Sequence, residues 1–366
     1  MGDFLANDAT PVRLHLTNIS GVGAVQLLKS LLPALERASG YRIEKMYVSG
    51  AGDFAGYVPR QEQTSWSSYR RRAPNALSRF LECTVFARKF DGETPLLVLG
   101  DIPLRCKSRQ TVFVQTIMFT HDAQAAGGRG DFKYRVSRWL FGYNADRVSA
   151  FIVQTESMKA SLVATYPEIA DRVHVVGSPV PAWLLEHPLK RTARREPGGG
   201  LRLFYPAAPY PHKNHRLLQE IAQRDVANWP IAELVLTIPA DQNPNPSIPW
   251  ISCVDHLDST AMITYYDRVD ALLFLSRAES LGFPLLEAMC VGLPIVCPDL
   301  PYARALCGDS AIYFDPDSVG SLHQAVLELR SRLDNGWWPD WTERLVTTPR
   351  SWDEVASAML ELSTDA

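Results

Sequence analysis

Two glutamates and one lysine are the residues of this chain whose types and spacing most favour ligand chemistry. Glu279 and Glu287 lie eight positions apart on either side of a Gly-Phe-Pro turn, and Lys213 stands between an apolar run and a predicted helix. A lysine at such a point can hold a phosphate, and the free N–H groups of a first helical turn can hold a phosphate or a sugar oxygen. The glutamates are not spaced as an i,i+4 pair, so a shared ligand is a natural reason for both.

Two turns in the first half of the chain are further candidates. Gly21 and Gly23 follow the first predicted strand and open a helix, where glycine lets the backbone approach a ligand. Gln26 stands where the third glycine of G-x-G-x-x-G would be, so a dinucleotide site is not favoured. His121 and Asp122 follow the fourth predicted strand, at the sheet edge where ligands bind. A hydrogen-bonded loop pair explains them equally well, and both interpretations stay open.

The elements that must position these residues alternate between apolar strand-like runs and helical patterns along all 366 residues. The predicted strands are 12–17, 42–48, 95–100, 111–116, 149–155, 201–206, 233–238, 271–275, 294–297 and 311–314. The predicted helices are 24–38, 74–88, 131–142, 156–165, 214–225, 259–268, 284–292 and 318–333. This alternation is typical of parallel sheets with crossover helices. A charged, glycine-rich break at 190–200 divides it, so the sequence predicts two Rossmann-like domains in tandem.

The last segment, 349–363, predicts one more amphipathic helix. Trp352, Val355, Met359 and Leu362 follow one another at offsets of three, four and three, which places them in one helical stripe. Such a helix must bury its stripe on one domain or across both.

Charge is unevenly distributed. Residues 1–180 hold 22 Lys and Arg against 16 Asp and Glu, whereas residues 181–366 hold 15 against 24. The surplus concentrates in 60–89, in Arg60, Arg70, Arg71, Arg72, Arg79, Arg88 and Lys89. This segment is either a solvated face or a surface that meets anionic lipid headgroups or an anionic acceptor. A nucleic-acid partner is not expected, because the acidic second half would repel phosphates.

Other classes of protein are disfavoured by what the sequence lacks. Its six cysteines form no C-x-x-C pair, so neither a structural metal nor a disulfide framework is expected. No stretch reaches the roughly 18 apolar residues of a membrane-spanning helix. The first residues show no basic start followed by an apolar run, so we expect a cytoplasmic protein.

The acidic segment as a whole resembles a known signature. Glu279-x7-Glu287, followed by Ala-Met-x-x-Gly-x-Pro-Ile-Val, closely resembles the donor site of family 4 retaining glycosyltransferases, among them bacterial surface-polysaccharide enzymes. Segments that are similar with lower specificity are 206–214, 270–276, 309–316, 351–353 and 149–162. The resemblance implies the α/β GT-B architecture, with two Rossmann-like domains facing a central cleft and a C-terminal helix crossing back to the first domain. The implied boundaries are an acceptor domain at 1–185, a linker at 186–200, a donor domain at 201–348 and the crossover helix at 349–366.

The resemblance also implies roles for single residues. Glu287 would accept hydrogen bonds from the nucleotide ribose, and Glu279 would contact the transferred sugar. Lys213 would neutralise the diphosphate as it leaves, and His121 would bond to the donor sugar or the acceptor. Many relatives carry an arginine five positions before the lysine, where this chain has Ala208. His212, Asn214 or a residue of the first domain would then have to replace that contact.

Backbone contacts are implied as well. The amides of Leu281, Gly282 and Phe283 would lie against the sugar and diphosphate. Gly21 and Gly23 would let the first domain approach the donor phosphates or the acceptor. No metal and no other cofactor are expected, because the resemblance implies that amides and a lysine hold the diphosphate; the nucleotide sugar itself is a co-substrate.

The function implied is retaining transfer of a hexosyl unit from a nucleotide diphosphate sugar, with GDP-mannose or a UDP-hexose favoured. The acceptor would be a hydroxyl of a glycan or a lipid-linked saccharide in bacterial cell-surface polysaccharide synthesis. We expect the enzyme in the cytoplasm, with peripheral contact at the inner face of an anionic membrane. Two alternatives stay open: a nucleotide-sugar-binding subunit without turnover, and a nucleotide-sugar epimerase on the same fold.

Overall fold

The computed structural model describes residues 9–19, 21–61, 64–69, 75–120, 132–194 and 199–365. The chain divides into two compact units. The first comprises Met1–Pro179 with Pro349–Ala366, and the second comprises Val180–Thr348.

The first unit is built on a seven-stranded sheet in which all the paired strands run parallel. Its strands are β1 (Thr10–Leu16), β2 (Tyr41–Ser49), β3 (Ser65–Tyr69), β4 (Leu96–Val98), β5 (Gln110–Phe113), β6 (Val148–Val153) and β7 (Val173–Val175), in the spatial order 3-2-1-4-5-6-7. The described residues of this unit before 180 form the α-helices α1 (Val22–Arg37), α2 (Asn75–Cys83), α3 (Phe132–Asn144) and α4 (Glu156–Thr165). Residues 12–16 of β1 are all buried, because helices cover both faces of such a sheet.

The second unit repeats the plan with six parallel strands in the order 10-9-8-11-12-13. The strands are β8 (Leu201–Tyr205), β9 (Ile231–Leu236), β10 (Ile251–Cys253), β11 (Ala271–Leu273), β12 (Ile295–Pro298) and β13 (Ile312–Phe314). The helices are α5 (Ala182–Glu186), α6 (Ser259–Arg268), α7 (Phe283–Val291), α8 (Pro301–Cys307), α9 (Val319–Asp334) and α10 (Thr342–Val346). The core lies on both faces of the sheet and contains the whole of β11 and β12.

The chain ends with α11 (Trp352–Asp365), which belongs to the first unit and packs on α1. Trp352, Val355 and Met359 of the predicted stripe are buried, and Arg37 of α1 donates to Asp353 over 2.8 Å. The C-terminal helix therefore returns to the first unit, as the resemblance implied.

All ten predicted strands are present, but the sequence missed β3, β7 and β10. β7 and β10 are three-residue strands in which only the first residue is buried, so they lack the apolar run seen in β4 and β11, which are equally short. β3 is a polar Ser-Trp-Ser-Ser-Tyr segment at the sheet edge. The predicted helix at 74–88 ends at Cys83 and is followed by a 3₁₀ turn, Val85–Phe90. No helix in the described ranges is long and apolar enough to cross a membrane.

The prediction of a helix at 214–225 was wrong. The segment forms two 3₁₀ turns, His215–Glu220 and Gln223–Asn228, and Asn214 before them is left-handed with φ 57°. Its apolar residues Leu217, Leu218 and Ile221 are buried, which explains the helical pattern in the sequence. The Asn245 side-chain amide donates to the carbonyls of Leu218 and Ile221 over 3.1 Å each, so these carbonyls have a partner outside any helix.

Candidate functional site

The candidate site lies at the carboxyl end of the second sheet, where the strand order reverses. From β8 the chain continues to β9 on one side, and β11 then pairs with β8 on the other side. Open parallel sheets bind ligands in the crevice outside such a point. The loops that follow β8 and β11 hold Lys213 and Glu279, so the topology brings together two residues 66 positions apart.

Lys213 and Glu279 form an ion pair. The Lys213 Nζ donates to Glu279 Oε1 over 2.5 Å, and the two side chains are only 15% and 12% exposed. Partial removal from water strengthens this attraction relative to a surface pair. The pair holds the lysine ammonium at a fixed place in the crevice, where it can meet an anionic ligand.

Hydrogen bonds to Tyr205 and Pro316 hold the Lys213 loop in place. Lys213 ends a 3₁₀ turn, Pro211–Lys213, and its carbonyl accepts a hydrogen bond from the buried Tyr205 hydroxyl over 2.7 Å. Asn214 donates its side-chain amide to the Pro316 carbonyl over 3.0 Å. The helix predicted to begin after Lys213 is absent from the described chain, so no α-helix dipole reinforces this lysine.

The histidines beside Lys213 carry no charge at neutral pH. Burial and the neighbouring Lys213 charge lower the pKa of both His212 and His215 to about 4. His212 therefore cannot supply the cation that Ala208 lacks, and the Asn214 amide already has the Pro316 carbonyl as its partner. Of the positive or polar contacts expected in place of an arginine, these two residues can supply only a polar one.

The loops after β8 and β11 are tied together through the His212 carbonyl. It accepts from the Arg277 N–H over 2.7 Å and from the Ser276 hydroxyl over 3.3 Å. The Arg277 guanidinium in turn makes two bonds to the Asp317 carboxylate, over 2.5 and 3.0 Å. The segment Asp315-Pro316-Asp317 has Asp-x-Asp spacing, which can present two carboxylates to a divalent cation. Here Asp317 binds Arg277, and Asp315 Oδ1 accepts the Asp317 N–H over 2.9 Å.

Glu287 is buried in the second turn of α7. It is 6% exposed, and its Oε2 accepts a hydrogen bond from the Tyr266 hydroxyl of α6 over 2.6 Å. Burial raises the pKa of Glu287 to about 7, although the Tyr266 bond partly opposes the rise. Tyr266 was not found from the sequence, because no spacing pattern links a residue of α6 to the glutamate 21 positions later.

The turn before α7 offers backbone donors. Gly282 caps the helix with φ 82°, a left-handed conformation that favours glycine, and Pro284 occupies the first helical turn. Within the described chain the N–H groups of Leu281, Gly282 and Phe283 have no hydrogen-bond partner. The free amides predicted from the sequence are therefore present beside Glu279.

The first unit places Gly21 and Gly23 after β1. Gly21 adopts φ 101° immediately before α1, and a Cβ built on either glycine would meet no atom within 4 Å. Packing within the described chain therefore leaves room for a side chain at both positions. The positive φ of Gly21 nevertheless favours glycine there. His121 lies outside the described residues, as do Asp122 and the basic positions 70–72.

Residues 202–332 match the family described as Glycosyl transferases group 1. All the matched residues lie within the second unit. The resemblance found in the acidic signature is thereby confirmed, and the matched residues include Lys213, Glu279 and Glu287.

Relatives of known function match shorter stretches. The O-antigen chain mannosyltransferase B of Escherichia coli is 27% identical over 88 residues, 24% of this chain and 23% of that protein. The serotype-specific mannosyltransferase WbdA of Escherichia coli is 30% identical over 86 residues, 21% of this chain and 11% of that protein. The chain thus spans about a quarter or less of the length of these relatives.

Solved structures match along nearly the whole chain. Sucrose-phosphate synthase from Thermosynechococcus elongatus superposes with a TM-score of 0.64 at 14% identity, covering 96% of this chain and 98% of that one. WaaG, a glycosyltransferase involved in lipopolysaccharide biosynthesis, gives 0.62 at 12% identity, covering 97% and 100%. At these identities the likeness shows the fold, and it confirms the predicted two-domain GT-B architecture.

Proposed function

We propose that this chain is a retaining glycosyltransferase that moves a hexosyl unit from a nucleotide diphosphate sugar to a hydroxyl of a glycan or lipid-linked acceptor. The observation that carries the proposal is the Lys213–Glu279 pair at the sheet edge, with the free amides of the α7 turn beside it. The family match of the second unit supports the reaction class. The mannosyltransferase relatives favour GDP-mannose as the donor and bacterial surface polysaccharide as the product.

The chemistry requires stabilisation of a leaving diphosphate. As the bond from the anomeric carbon to the β-phosphate oxygen breaks, negative charge grows on that oxygen. In the proposed reaction the Lys213 ammonium shifts a hydrogen bond from Glu279 to this oxygen. The backbone amides of Gly282 and Phe283 add donors whose positions are fixed. Glu279, released from the lysine, can then accept a hydrogen bond from a hydroxyl of the transferred sugar.

The resemblance to retaining enzymes suggests how the anomeric configuration is kept without a protein nucleophile. The acceptor oxygen bonds to the anomeric carbon on the face that the phosphate leaves, and its proton passes to the departing phosphate oxygen. Glu287 holds the nucleotide by accepting hydrogen bonds from the ribose hydroxyls while Tyr266 orients its carboxyl group. Because an ionised carboxylate is the stronger acceptor, donor affinity should rise as Glu287 loses its proton near pH 7.

The test is a transfer assay with GDP-mannose, UDP-glucose and UDP-galactose, each with and without a simple alkyl mannoside or glucoside as acceptor. We expect acceptor-dependent release of one nucleotide and an α-linked product from an α-linked donor. Conversion of the donor sugar without acceptor would establish the epimerase. Nucleotide binding without release from any donor, with these acceptors and with a bacterial glycolipid extract, would establish the binding subunit.

A further inference from the structure

Arg191 closes the carboxyl end of α6. This side chain precedes β8 and is only 5% exposed. Its Nη1 lies within hydrogen-bond distance of three carbonyl oxygens, namely those of Tyr266 at 3.3 Å, Asp267, and Val269 at 3.0 Å. The carbonyls of a last helical turn have no partner within their helix, so the guanidinium supplies donors that α6 lacks. One side chain therefore fixes the end of the helix that carries Tyr266.

The backbone of the same residue closes the carboxyl end of α7. The Arg191 N–H donates to the Val291 carbonyl over 2.7 Å. Gly292 follows α7 with φ 88°, and a Cβ built on it would lie 2.5 Å from the Arg191 carbonyl oxygen. A side chain has no room at this position, and the positive φ favours glycine as well. The close approach of Arg191 thus explains the glycine of the acidic signature, to which the proposed donor contacts give no role.

Two tryptophan side chains complete these contacts. The Trp338 Nε1 donates toward the Gly292 carbonyl over 2.7 Å and the Arg191 carbonyl over 3.2 Å. The Trp341 Nε1 donates to the Leu293 carbonyl over 2.9 Å, and Trp341 is 3% exposed. The Arg191 guanidinium lies 5.9 Å from the centre of the Trp338 ring, within cation–π distance. We call Arg191, Trp338 and Trp341 the helix clamp.

The two helices that the clamp holds carry the two ends of one site contact. The Tyr266 hydroxyl of α6 donates to Glu287 Oε2 of α7 over 2.6 Å. Arg191 bonds to the carbonyl of Tyr266 itself. Its N–H bonds to the Val291 carbonyl, one helical turn after Glu287. A shift of either helix along its axis would therefore change both the Arg191 bonds and the distance between the hydroxyl and the carboxylate.

We propose that Arg191 is a positioning residue of the donor site, which holds the carboxyl ends of α6 and α7 at the separation that joins Tyr266 to Glu287. The inference rests on the proposed function, since Glu287 is there the residue that binds the nucleotide ribose. Lysine should not replace this arginine, because Arg191 also uses a second nitrogen, Nη2, to bond to the Ala193 carbonyl over 3.0 Å. A guanidinium presents several donors in a fixed fork, whereas an ammonium presents its donors on one nitrogen.

The first experiment needs no nucleotide. The urea midpoint is measured for the parent, Arg191→Lys, Tyr266→Phe and the double variant. We expect Tyr266→Phe to lower the midpoint by about half as much in the Arg191→Lys background as in the parent, because the contact that it removes is already weakened there. Tyr265→Phe, at the neighbouring position of α6, is the matched control and should lower the midpoint equally in both backgrounds.

Equal losses from Tyr266→Phe in both backgrounds would overturn the proposal. Trp338→Phe guards against a folding defect in Arg191→Lys, because it keeps an aromatic ring and removes the N–H that binds the Arg191 and Gly292 carbonyls. In its background the loss from Tyr266→Phe should also shrink, and an undiminished loss there would likewise contradict the role of the clamp.

The second experiment measures the Kd of the parent, Arg191→Lys and Lys190→Ala for GDP, UDP, ADP and dTDP, together with KM and kcat for the donor. We expect Arg191→Lys to weaken nucleotide binding about fivefold, the effect of one ordinary hydrogen bond, and to raise KM while kcat stays within about twofold of the parent. Lys190→Ala should bind as the parent does, because the exposed Lys190 ammonium bonds to the neighbouring Cys290 carbonyl at the surface.

The two experiments separate this inference from the proposed function. Equal Kd values for the parent and Arg191→Lys would overturn the inference while the proposed function stands. If no nucleotide binds the parent, the proposed function fails, and the urea midpoints still decide whether Arg191 positions Tyr266 and Glu287.

Discussion

The two sheets share one strand order around their switch points, yet the loops that leave those points differ in chemistry. In the second unit the loops after β8 and β11 present a lysine, a glutamate and free amides. In the first unit the polar side chains after β1 bond to groups of their own unit: Asn18 donates to the Gly100 carbonyl over 2.9 Å, and the Thr17 hydroxyl donates to the buried Glu82. The family match covers the second unit alone. The comparison teaches that the shared scaffold places a ligand edge in both units, while only loop residues give it charge.

The largest effect should come from removing the charge of Lys213 in the second unit. Lys213→Ala should lower kcat/KM for nucleotide release by about 10²–10³-fold, the usual effect of losing one donor to a developing anion. Lys190→Ala is the matched control, because Lys190 is the other lysine of the second unit and its exposed ammonium bonds to the Cys290 carbonyl. Activity of Lys213→Ala within tenfold of the parent would place the diphosphate elsewhere.

Buried carboxyl groups distinguish the units by pH. Burial raises the pKa of Glu287 to about 7 from the ordinary 4.5 and that of Asp101 in the first unit to about 6 from 3.8. A group with a raised pKa keeps its proton in the folded state after the unfolded chain has lost it. The Glu287 contribution to the free energy of unfolding therefore falls by about 3 kcal/mol between pH 4.5 and 7. It is constant outside that window.

The measurement is the urea midpoint of the parent, Glu287→Gln and Asp101→Asn from pH 4.5 to 7.5. Subtracting each variant removes the contributions of His212 and His215, whose pKa values are lowered to about 4. We expect the parent to lose stability relative to Glu287→Gln up to pH 7, and relative to Asp101→Asn only up to pH 6. If the difference in stability between the parent and Glu287→Gln does not change with pH, the pKa of the Glu287 carboxyl is not raised.

The Tyr266 bond offers a smaller test of the same carboxyl. Tyr266→Phe removes the hydroxyl that donates to Glu287 Oε2 and should destabilise the chain by about 1–3 kcal/mol. Because that bond favours the ionised form, its loss should move the Glu287 pKa further upward and shift the pH dependence of donor affinity in the same direction. Tyr265→Phe, the neighbouring position on α6, is the control; equal pH profiles for the two variants would contradict the orienting role.

The smallest effects concern the glycines of the first unit. Gly21→Ala puts a Cβ on a residue with φ 101° and should cost about 1 kcal/mol of stability, whereas Gly23→Ala lies inside α1 and should stabilise by about 0.5–1 kcal/mol. If Gly23 also allows close approach of a ligand, its alanine variant should lose activity while gaining stability. Thermal unfolding paired with the transfer assay checks both, and full activity in Gly23→Ala would limit the glycine to a local backbone role.

Much of the fold followed from the sequence because the strands of a doubly covered parallel sheet are apolar along their whole length, as in 271–275. The site was located for a related reason, since Glu279, Glu287 and the turn between them form one continuous segment. The contacts that complete it join distant positions: Lys213 with Glu279, and Arg277 with Asp317 across 40 residues. Such pairs depend on the spatial order of the strands, which the linear pattern does not contain. The 3₁₀ turn His215–Glu220 likewise has a distant partner, because the Asn245 side chain binds the carbonyls of Leu218 and Ile221.

The central claim, that the second unit binds a nucleotide diphosphate through Lys213 and Glu287, is tested most directly by thermal unfolding with GDP, UDP, ADP and dTDP, each with magnesium and with EDTA. A nucleotide at 100 times its Kd adds about 2.7 kcal/mol of stability. We predict that one nucleotide stabilises the parent and Lys190→Ala equally, with or without EDTA, and stabilises neither Lys213→Ala nor Glu287→Ala. Stabilisation by none of the four, or equal stabilisation of all these variants, would contradict the account.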